Sequence, residues 1–150
     1  MAAMLDARTQ TRLQQILRRE SRSFLQYISD SVPWTSPEEK DALAQLQTLM
    51  EEERRAIAAF AKFLIRHRIP VPHLGPYPVA FTTLNFTALD HLLPMLADAE
   101  RRCIAELEDD LASFTDSECR QEIQTLLDMK REHLKTLEAL AVAHPETVLR

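Results

Sequence analysis

The sequence predicts an all-α fold, specifically a four-helix bundle formed by one domain of residues 1–150. Residues with high helix propensity, mainly Ala, Leu, Glu, Gln and Arg, dominate the chain, which contains a single Gly. Hydrophobic residues make up 45% of the sequence and recur at steps of three and four, the spacing of amphipathic helices. The eight prolines cluster between these periodic segments, where helices end. A chain of 150 residues is long enough to bury a core of its own.

The first predicted helix covers residues 5–31. Pro33 follows it and disfavours helical backbone in the residue before it, so the helix should stop there. The apolar face of this helix consists of Leu13, Leu17, Phe24, Tyr27 and Ile28.

The second predicted helix begins at the segment Ser36-Pro37-Glu38-Glu39 and ends near Arg68. Ser36 is a good N-cap, Pro37 suits the first turn, and Glu39 completes a capping box. Its stripe alternates steps of three and four, which is the pattern of a heptad seam. The stripe consists of Leu43, Leu46, Met50, Glu53, Ile57, Phe60 and Leu64.

Residues 70–81 contain four prolines and the only glycine, which predicts an extended connection. Twelve extended residues reach roughly 40 Å, and a helix of about 30 residues is roughly 45 Å long. The connection can therefore return along the bundle and start the third helix near the start of the second. The other connections are short, so the sequence predicts two antiparallel helix pairs joined by one long crossover between helices two and three.

The third predicted helix covers residues 82–113, in one piece or two. Thr87 and Asp90 form a potential internal capping box, and Pro94 should kink or restart the helix. Its stripe consists of Leu89, Leu93, Leu96, Glu100, Cys103, Leu107 and Leu111.

The fourth predicted helix is capped by the segment Thr115-Asp116-Ser117-Glu118 and ends before Pro145. Its stripe consists of Ile123, Leu126, Lys130, His133, Leu137 and Leu140.

Charged or polar side chains interrupt all four apolar stripes, each near the middle of its helix. Buried charge is unfavourable unless it is paired or bound to a metal. Because the midpoints of bundle helices lie at one level, we predict that these side chains converge in the core. They are Glu20, Glu53, Glu100, Lys130 and His133.

This pattern resembles the ferritin-like diiron carboxylate superfamily, which includes bacterioferritins and rubrerythrins. There, helices one and three each supply a Glu, and helices two and four each supply Glu-x-x-His. By this resemblance, Glu20 and Glu100 match the single carboxylates, and Tyr27 matches a tyrosine that ferritins often place beside the metals. The resemblance implies a ferritin-like fold over nearly the whole chain.

Two of the six ligand positions depart from the superfamily pattern. Glu53 matches the carboxylate of helix two, but Ala56 stands at its His position. On helix four His133 matches the histidine, but Lys130 stands at the Glu position. Two ferrous ions need four carboxylates for charge balance, and a protonated ammonium cannot be a ligand. The sequence therefore predicts a degenerate site without diiron chemistry.

Three arrangements would balance the charge of the remaining groups, which is −2 for three carboxylates, one ammonium and a neutral imidazole. One divalent ion (iron, manganese or zinc) would be held by Glu53, Glu100 and His133, with or without Glu20. Alternatively, protons would neutralise the cluster through a raised carboxylate pKa and a charged imidazole. In the third arrangement, water enters the bundle and solvates it.

A simpler interpretation places some of these groups on the surface. Glu20 would rotate outward, and Lys130 would extend its ammonium to solvent along an apolar stem. A small rotation of helix four would put Leu127 and Leu134 in the core instead of Lys130 and His133.

Composition argues against several classes of function. The net charge of −5 disfavours nucleic-acid binding. No stretch approaches the roughly 18 apolar residues of a membrane span. The start of the chain has no secretory signal, so a cytoplasmic location is expected. We find no recognisable catalytic arrangement or phosphate-binding loop and therefore name no catalytic or cofactor-binding residue. A homodimer or another protein partner is expected, with Phe63, Ile65 and Phe81 as spare apolar side chains.

Overall fold

The computed structural model describes residues 4–31, 33–85 and 87–146 and confirms the all-α class. Two short 3-10 helices, Pro37–Glu39 and Val79–Leu84, accompany the α-helices. None of the helices in the described part of the chain is long and apolar enough to cross a membrane. The α-helices are α1 (Ala7–Ser21), α2 (Phe24–Asp30), α3 (Lys40–Arg66), α4 (Leu89–Ser113) and α5 (Ser117–Ala143).

The first predicted helix is in fact two helices, so the prediction of one continuous helix was wrong. Helix α1 ends at Ser21 and α2 begins at Phe24. The Ser23 hydroxyl caps α2 by accepting a hydrogen bond from the backbone N–H of Gln26 at 3.2 Å. Serine competes with the helix for backbone hydrogen bonds and therefore favours a helix start over a helix interior. The apolar periodicity hid the break because α1 and α2 both pack against α3.

The predicted start and stripe of α3 are confirmed. The Glu39 carboxylate accepts hydrogen bonds from the backbone N–H of Ser36 at 2.9 Å and from its hydroxyl at 2.8 Å, within the predicted capping box. Leu46, Glu53 and Phe60 in the stripe are fully buried or nearly so.

The C-terminus of α3 places a non-glycine residue in the left-handed region. Arg68 has φ 57°, while its N–H bonds to the carbonyl of Ile65 at 3.0 Å and the N–H of Ile69 bonds to that of Leu64 at 2.9 Å. This is a Schellman ending, in which glycine is usual because left-handed backbone costs other residues roughly 1–2 kcal/mol.

We expect Arg68→Gly to raise the free energy of unfolding by about 1 kcal/mol, because it relieves this backbone strain. Urea denaturation followed by circular dichroism measures the change. Lys62→Gly, at an exposed position inside α3, is the control and should lower stability by about 1 kcal/mol. A loss of stability in both variants would contradict the prediction.

The crossover after α3 runs beside α1 and α2 and returns the chain to the start of α3. A parallel bridge joins Trp34, just before α3, to Ala88, just before α4. The contacts along the way are Gln14 Nε2 to the Pro70 carbonyl at 2.8 Å, Arg22 Nε to the Gly75 carbonyl at 2.7 Å, and Tyr77 Oη to Asp30 Oδ2 at 3.4 Å.

The one-piece alternative for the third predicted helix was wrong, since α4 begins at Leu89 rather than near residue 82. A separate 3-10 helix, Val79–Leu84, precedes it, in agreement with the two-piece alternative. The N-cap is Ala88, one residue after the predicted cap Thr87. The bridge explains the difference, because the N–H of Leu89 bonds to the Trp34 carbonyl at 2.9 Å. By contrast, Asp116 caps α5 as predicted, accepting from the backbone N–H of Cys119 at 2.9 Å.

The apolar core consists of two clusters, one at each end of the bundle. One includes Phe24, Leu46 and Leu137, and the other includes Leu13 and Phe60. The level between them on α3, α4 and α5 is where the charged positions of the stripes fall.

The prediction that Phe63 is a spare apolar side chain for a dimer contact was wrong. Phe63 is fully buried in the core cluster that contains Phe60, because it belongs to the inward face of α3. Phe81 is half-buried and packs against Phe24 with ring centroids 5.1 Å apart. Of the three residues named for that face, Ile65 alone is exposed, with 61% of its surface accessible.

A buried Glu/Lys/His cluster as candidate site

The structure brings all five predicted side chains together in the core, so their predicted convergence is confirmed. The alternatives with Glu20 or Lys130 at the surface were wrong, and Leu127 is buried alongside Lys130 and His133 rather than in their place. The exposed fractions are 1% for Glu20, 0% for Glu53, 2% for Glu100, 0% for Lys130 and 1% for His133.

The centre of this cluster is the ammonium of Lys130 on α5. Its Nζ lies 2.5 Å from Glu53 Oε2 on α3, 3.2 Å from Glu20 Oε2 on α1 and 3.7 Å from Glu100 Oε1 on α4. One positive charge thus faces three carboxylates, each carried by a different helix. The short contact to Glu53 is a charge-assisted hydrogen bond, the strongest kind available to these groups.

Two residues that sequence reasoning missed bind the outer oxygens of these carboxylates. The Ser23 hydroxyl donates to Glu53 Oε1 at 2.5 Å, and the helix break described above is what places Ser23 there. Arg19 Nη2 donates to Glu20 Oε1 at 3.2 Å. Both oxygens of Glu53 therefore accept a hydrogen bond, whereas Glu20 accepts one at Oε1 and faces Lys130 at ion-pair distance with Oε2.

Arg19 also connects the cluster to the surface. Its Nη2 lies 2.7 Å from Oδ2 of the buried Asp110, and its Nε lies 2.8 Å from Oε2 of the exposed Glu106. Arg12 binds the other oxygen of Asp110 at 3.0 Å. An ion-pair network between α1 and α4 thus extends from solvent to the core.

His133 lies on the opposite side of the cluster. Its Nε2 lies 2.9 Å from Glu52 Oε2, and its Nδ1 lies 3.9 Å from Glu100 Oε1. Glu52 is half-exposed and borders, with His133, a surface cleft of about 260 Å³. Glu52 lies outside the predicted apolar stripe of this helix, and nothing in its local pattern indicates a buried partner.

Burial sets the protonation of the least well paired carboxyl. It raises the pKa of Glu100 to about 7, against the opposing attraction of Lys130 and with added repulsion from Glu53 and Glu20. Burial alone would lower the pKa of Lys130, but Glu53, Glu20 and Glu100 outweigh it and hold that pKa well above its usual value. Lys130 therefore stays charged.

Three buried atoms in the cluster lack a hydrogen-bond partner among the described residues. They are Glu20 Oε2, Glu100 Oε1 and His133 Nδ1. The first two face Lys130 at ion-pair distance without hydrogen-bond geometry. A single ammonium has three protons, and its contacts here satisfy Glu53 best.

Two further residues named by the resemblance have apolar or aromatic neighbours. The hydroxyl of Tyr27 donates to Asn85, and its ring packs against Tyr77 and Phe81 of the crossover at centroid distances of 5.3 Å and 5.4 Å. Ala56 is half-buried against the apolar cluster of Phe60. Tyr27 is thus part of an aromatic contact that holds the crossover, and Ala56 offers no ligand.

The residues present do not fit the diiron centre of the superfamily that the sequence resembles. Lys130 is held among the three carboxylates, and both oxygens of Glu53 are engaged by Lys130 and Ser23. A smaller set does have ligand geometry, since one ligand atom each from Glu53, Glu100 and His133 lies within 4.8 Å of the others. The ammonium competes with any ion for that set, because like charges repel at short range.

No family model matches this chain, and neither a curated protein nor a solved structure matches it. The class of protein is therefore defined by the fold and the site alone. It is an all-α protein whose helices meet at a buried cluster of acidic and basic side chains.

Proposed function

We propose that this chain is a ferritin-like helical bundle without diiron chemistry, acting as a structural or interaction protein rather than an enzyme. The observation that carries the proposal is the position of Lys130 Nζ, within 3.7 Å of carboxylates from α1, α3 and α4. A protonated lysine at that point supplies the positive charge that metal ions supply in the diiron superfamily.

In this proposal the cluster determines the register of the helices. Apolar seams tolerate sliding by a heptad, because one Leu replaces another at little cost. A buried ion cluster does not, because sliding one helix would separate its charge from the others and leave it unpaired. Lys130, Glu53, Glu20 and Glu100 tie four helices at one level.

The path of the crossover supports the ferritin-like assignment. It runs along α1 and α2 and ends beside Trp34, so α4 starts near the start of α3. A single long crossover between two antiparallel pairs is the connectivity of ferritin-like bundles. The site residues also follow the superfamily order, with Glu20, Glu53, Glu100 and His133 each on its expected helix.

A second candidate function is metal binding at a mononuclear site, or an oxidoreductase built on it. The proximity of ligand atoms from Glu53, Glu100 and His133 favours it. An ion there would have to displace the ammonium of Lys130 from Glu53, which makes this candidate the weaker of the two.

Metal analysis separates these candidates. We expect protein purified without chelators to contain iron, manganese and zinc well below one ion per chain by plasma mass spectrometry. Added chelator should leave the thermal unfolding midpoint unchanged, because an ion that does not bind the folded state cannot stabilise it. About one ion per chain, together with a lower midpoint in chelator, would contradict the proposal.

We further propose a cytoplasmic protein that works through a protein partner, either a second copy or another chain. Trp34 and Ile65, exposed over 65% and 61% of their surfaces, are apolar side chains available for such contact. Light scattering coupled to size-exclusion chromatography determines whether the partner is a second copy.

A further inference from the structure

We infer that Lys130 is a tethered substitute for a divalent transition-metal ion, and that its removal exposes a latent site for one such ion. The site would consist of Glu20, Glu53, Glu100 and His133. This inference rests on the proposed function, in which the lysine ammonium is the resident cation of the cluster.

The carboxylate oxygens already surround a cationic centre. Glu53, Glu20 and Glu100 each direct one oxygen at Nζ, over distances of 2.5 Å, 3.2 Å and 3.7 Å. Metal–oxygen bonds to carboxylates are about 2.0–2.2 Å long. The farther side chains would therefore move inward by about 1 Å or somewhat more, a change available to the long, rotatable glutamates.

The atoms without hydrogen-bond partners are the ones that a metal would use. Glu20 Oε2, Glu100 Oε1 and His133 Nδ1 have no hydrogen-bond partner among the described residues, and these residues are at most 2% exposed. A bound ion accepts lone pairs from all of them at once, whereas the ammonium makes its strong contact with Glu53. The cluster thus contains more potential metal-ligand atoms than the Lys130 ammonium binds.

Charge balance requires a replacement once the ammonium is removed. With all three carboxyls ionised, as metal ligands are, the cluster would then carry −3, and of the three Arg19 is bonded to Glu20. A divalent ion supplies two positive charges at the point that Nζ occupied. Mixed carboxylate and imidazole donors suit Zn²⁺, Co²⁺, Mn²⁺ and Fe²⁺ better than Ca²⁺ or Mg²⁺.

The test is a Co²⁺ titration of Lys130→Ala, because alanine leaves space for the ion and protein-bound Co²⁺ has visible d–d absorption. We expect one equivalent to bind and the thermal midpoint to rise by about 5–10 °C at Co²⁺ a hundredfold above Kd. Wild type and the control Lys135→Ala, at an exposed position on the same helix, should show neither effect.

The double variant Glu53→Gln/Lys130→Ala locates the ion, since loss of a carboxylate ligand should abolish the visible bands and the midpoint shift. Equal binding by the double variant would overturn the inference.

If Lys130→Ala is unfolded without metal, refolding on addition of Co²⁺ supports the inference and failure to refold overturns it. Lys130→Glu, which adds a fourth carboxylate, should depend on the metal more strongly, and a variant indifferent to metal would overturn it.

The two proposals fail in different ways. A folded Lys130→Ala protein with no Co²⁺ spectrum and no midpoint shift overturns the latent site and leaves the proposed function standing. One equivalent of Co²⁺ bound by the wild-type protein overturns the proposed function, because the lysine would then not be the resident cation.

Discussion

Lys130→Met should lower the free energy of unfolding by about 3–5 kcal/mol, the usual cost of removing one partner from a buried ion cluster. Methionine fills the space of the lysine stem as far as Cε and lacks the ammonium. Glu53 and Glu20 would lose the ammonium at 2.5 Å and 3.2 Å and would remain buried. Urea denaturation at pH 7.5 with chelator present, followed by circular dichroism, measures the loss.

Two comparisons show whether the loss comes from the charge cluster. Lys135→Met on the same helix removes an exposed ammonium paired with Glu132 at 2.9 Å and should cost less than about 0.5 kcal/mol. Glu53→Gln/Lys130→Met should be less destabilising than the sum of the two single changes, because each removes the other's partner. A Lys130→Met protein as stable as wild type would show that the ammonium is not paired in solution.

The sequence predicted the centre of the site because the pattern there is strong. Glu53 stands inside a seam of apolar residues that continues on both sides for several turns, and Lys130 and His133 stand in a second one. A position in such a seam faces the core whatever its chemistry, since the backbone of a helix determines which face each residue occupies. Four seams interrupted near their middles were enough to predict one meeting point.

The surrounding residues were missed because their roles depend on partners far away in sequence. In the sequence, Ser23 is a polar residue inside one long amphipathic pattern. Its role as the N-cap of α2 accompanies its hydrogen bond to Glu53, which belongs to α3. Arg19 and Glu52 occupy positions that a helical period assigns to solvent. Long side chains reach across such boundaries, so a pattern of Cα positions does not predict their contacts.

Helix starts were the other source of error, again for a tertiary reason. Thr87 has the sequence of an N-cap, but the backbone of Trp34 provides the hydrogen bond that the first N–H of α4 needs. Local propensity predicts a cap when no other acceptor competes. The crossover brings in such an acceptor from a segment about 50 residues earlier, at Trp34.

Glu100→Gln should remove a pH dependence of stability and make the protein more stable than wild type at pH 8. An unperturbed Glu has a pKa of 4.5, and burial raises that of Glu100 to about 7 in the folded state. The folded state therefore binds more protons between these values, so stability from this group is full below pH 4.5 and falls as pH rises through 7. Wild type should lose about 3 kcal/mol over this window.

The variant isolates that carboxyl because glutamine is neutral at every pH and close in shape. The pKa of Lys130 stays well above this window, so its ammonium adds no pH dependence there. At pH 8 the variant should exceed wild type by up to about 3 kcal/mol, and near pH 4.5 the two should be nearly equal. Glu108→Gln, at an exposed position on α4, should follow the wild-type pH profile. Parallel profiles for Glu100→Gln and wild type would mean that Glu100 is ionised at neutral pH, with the cluster more fully solvated than its burial implies.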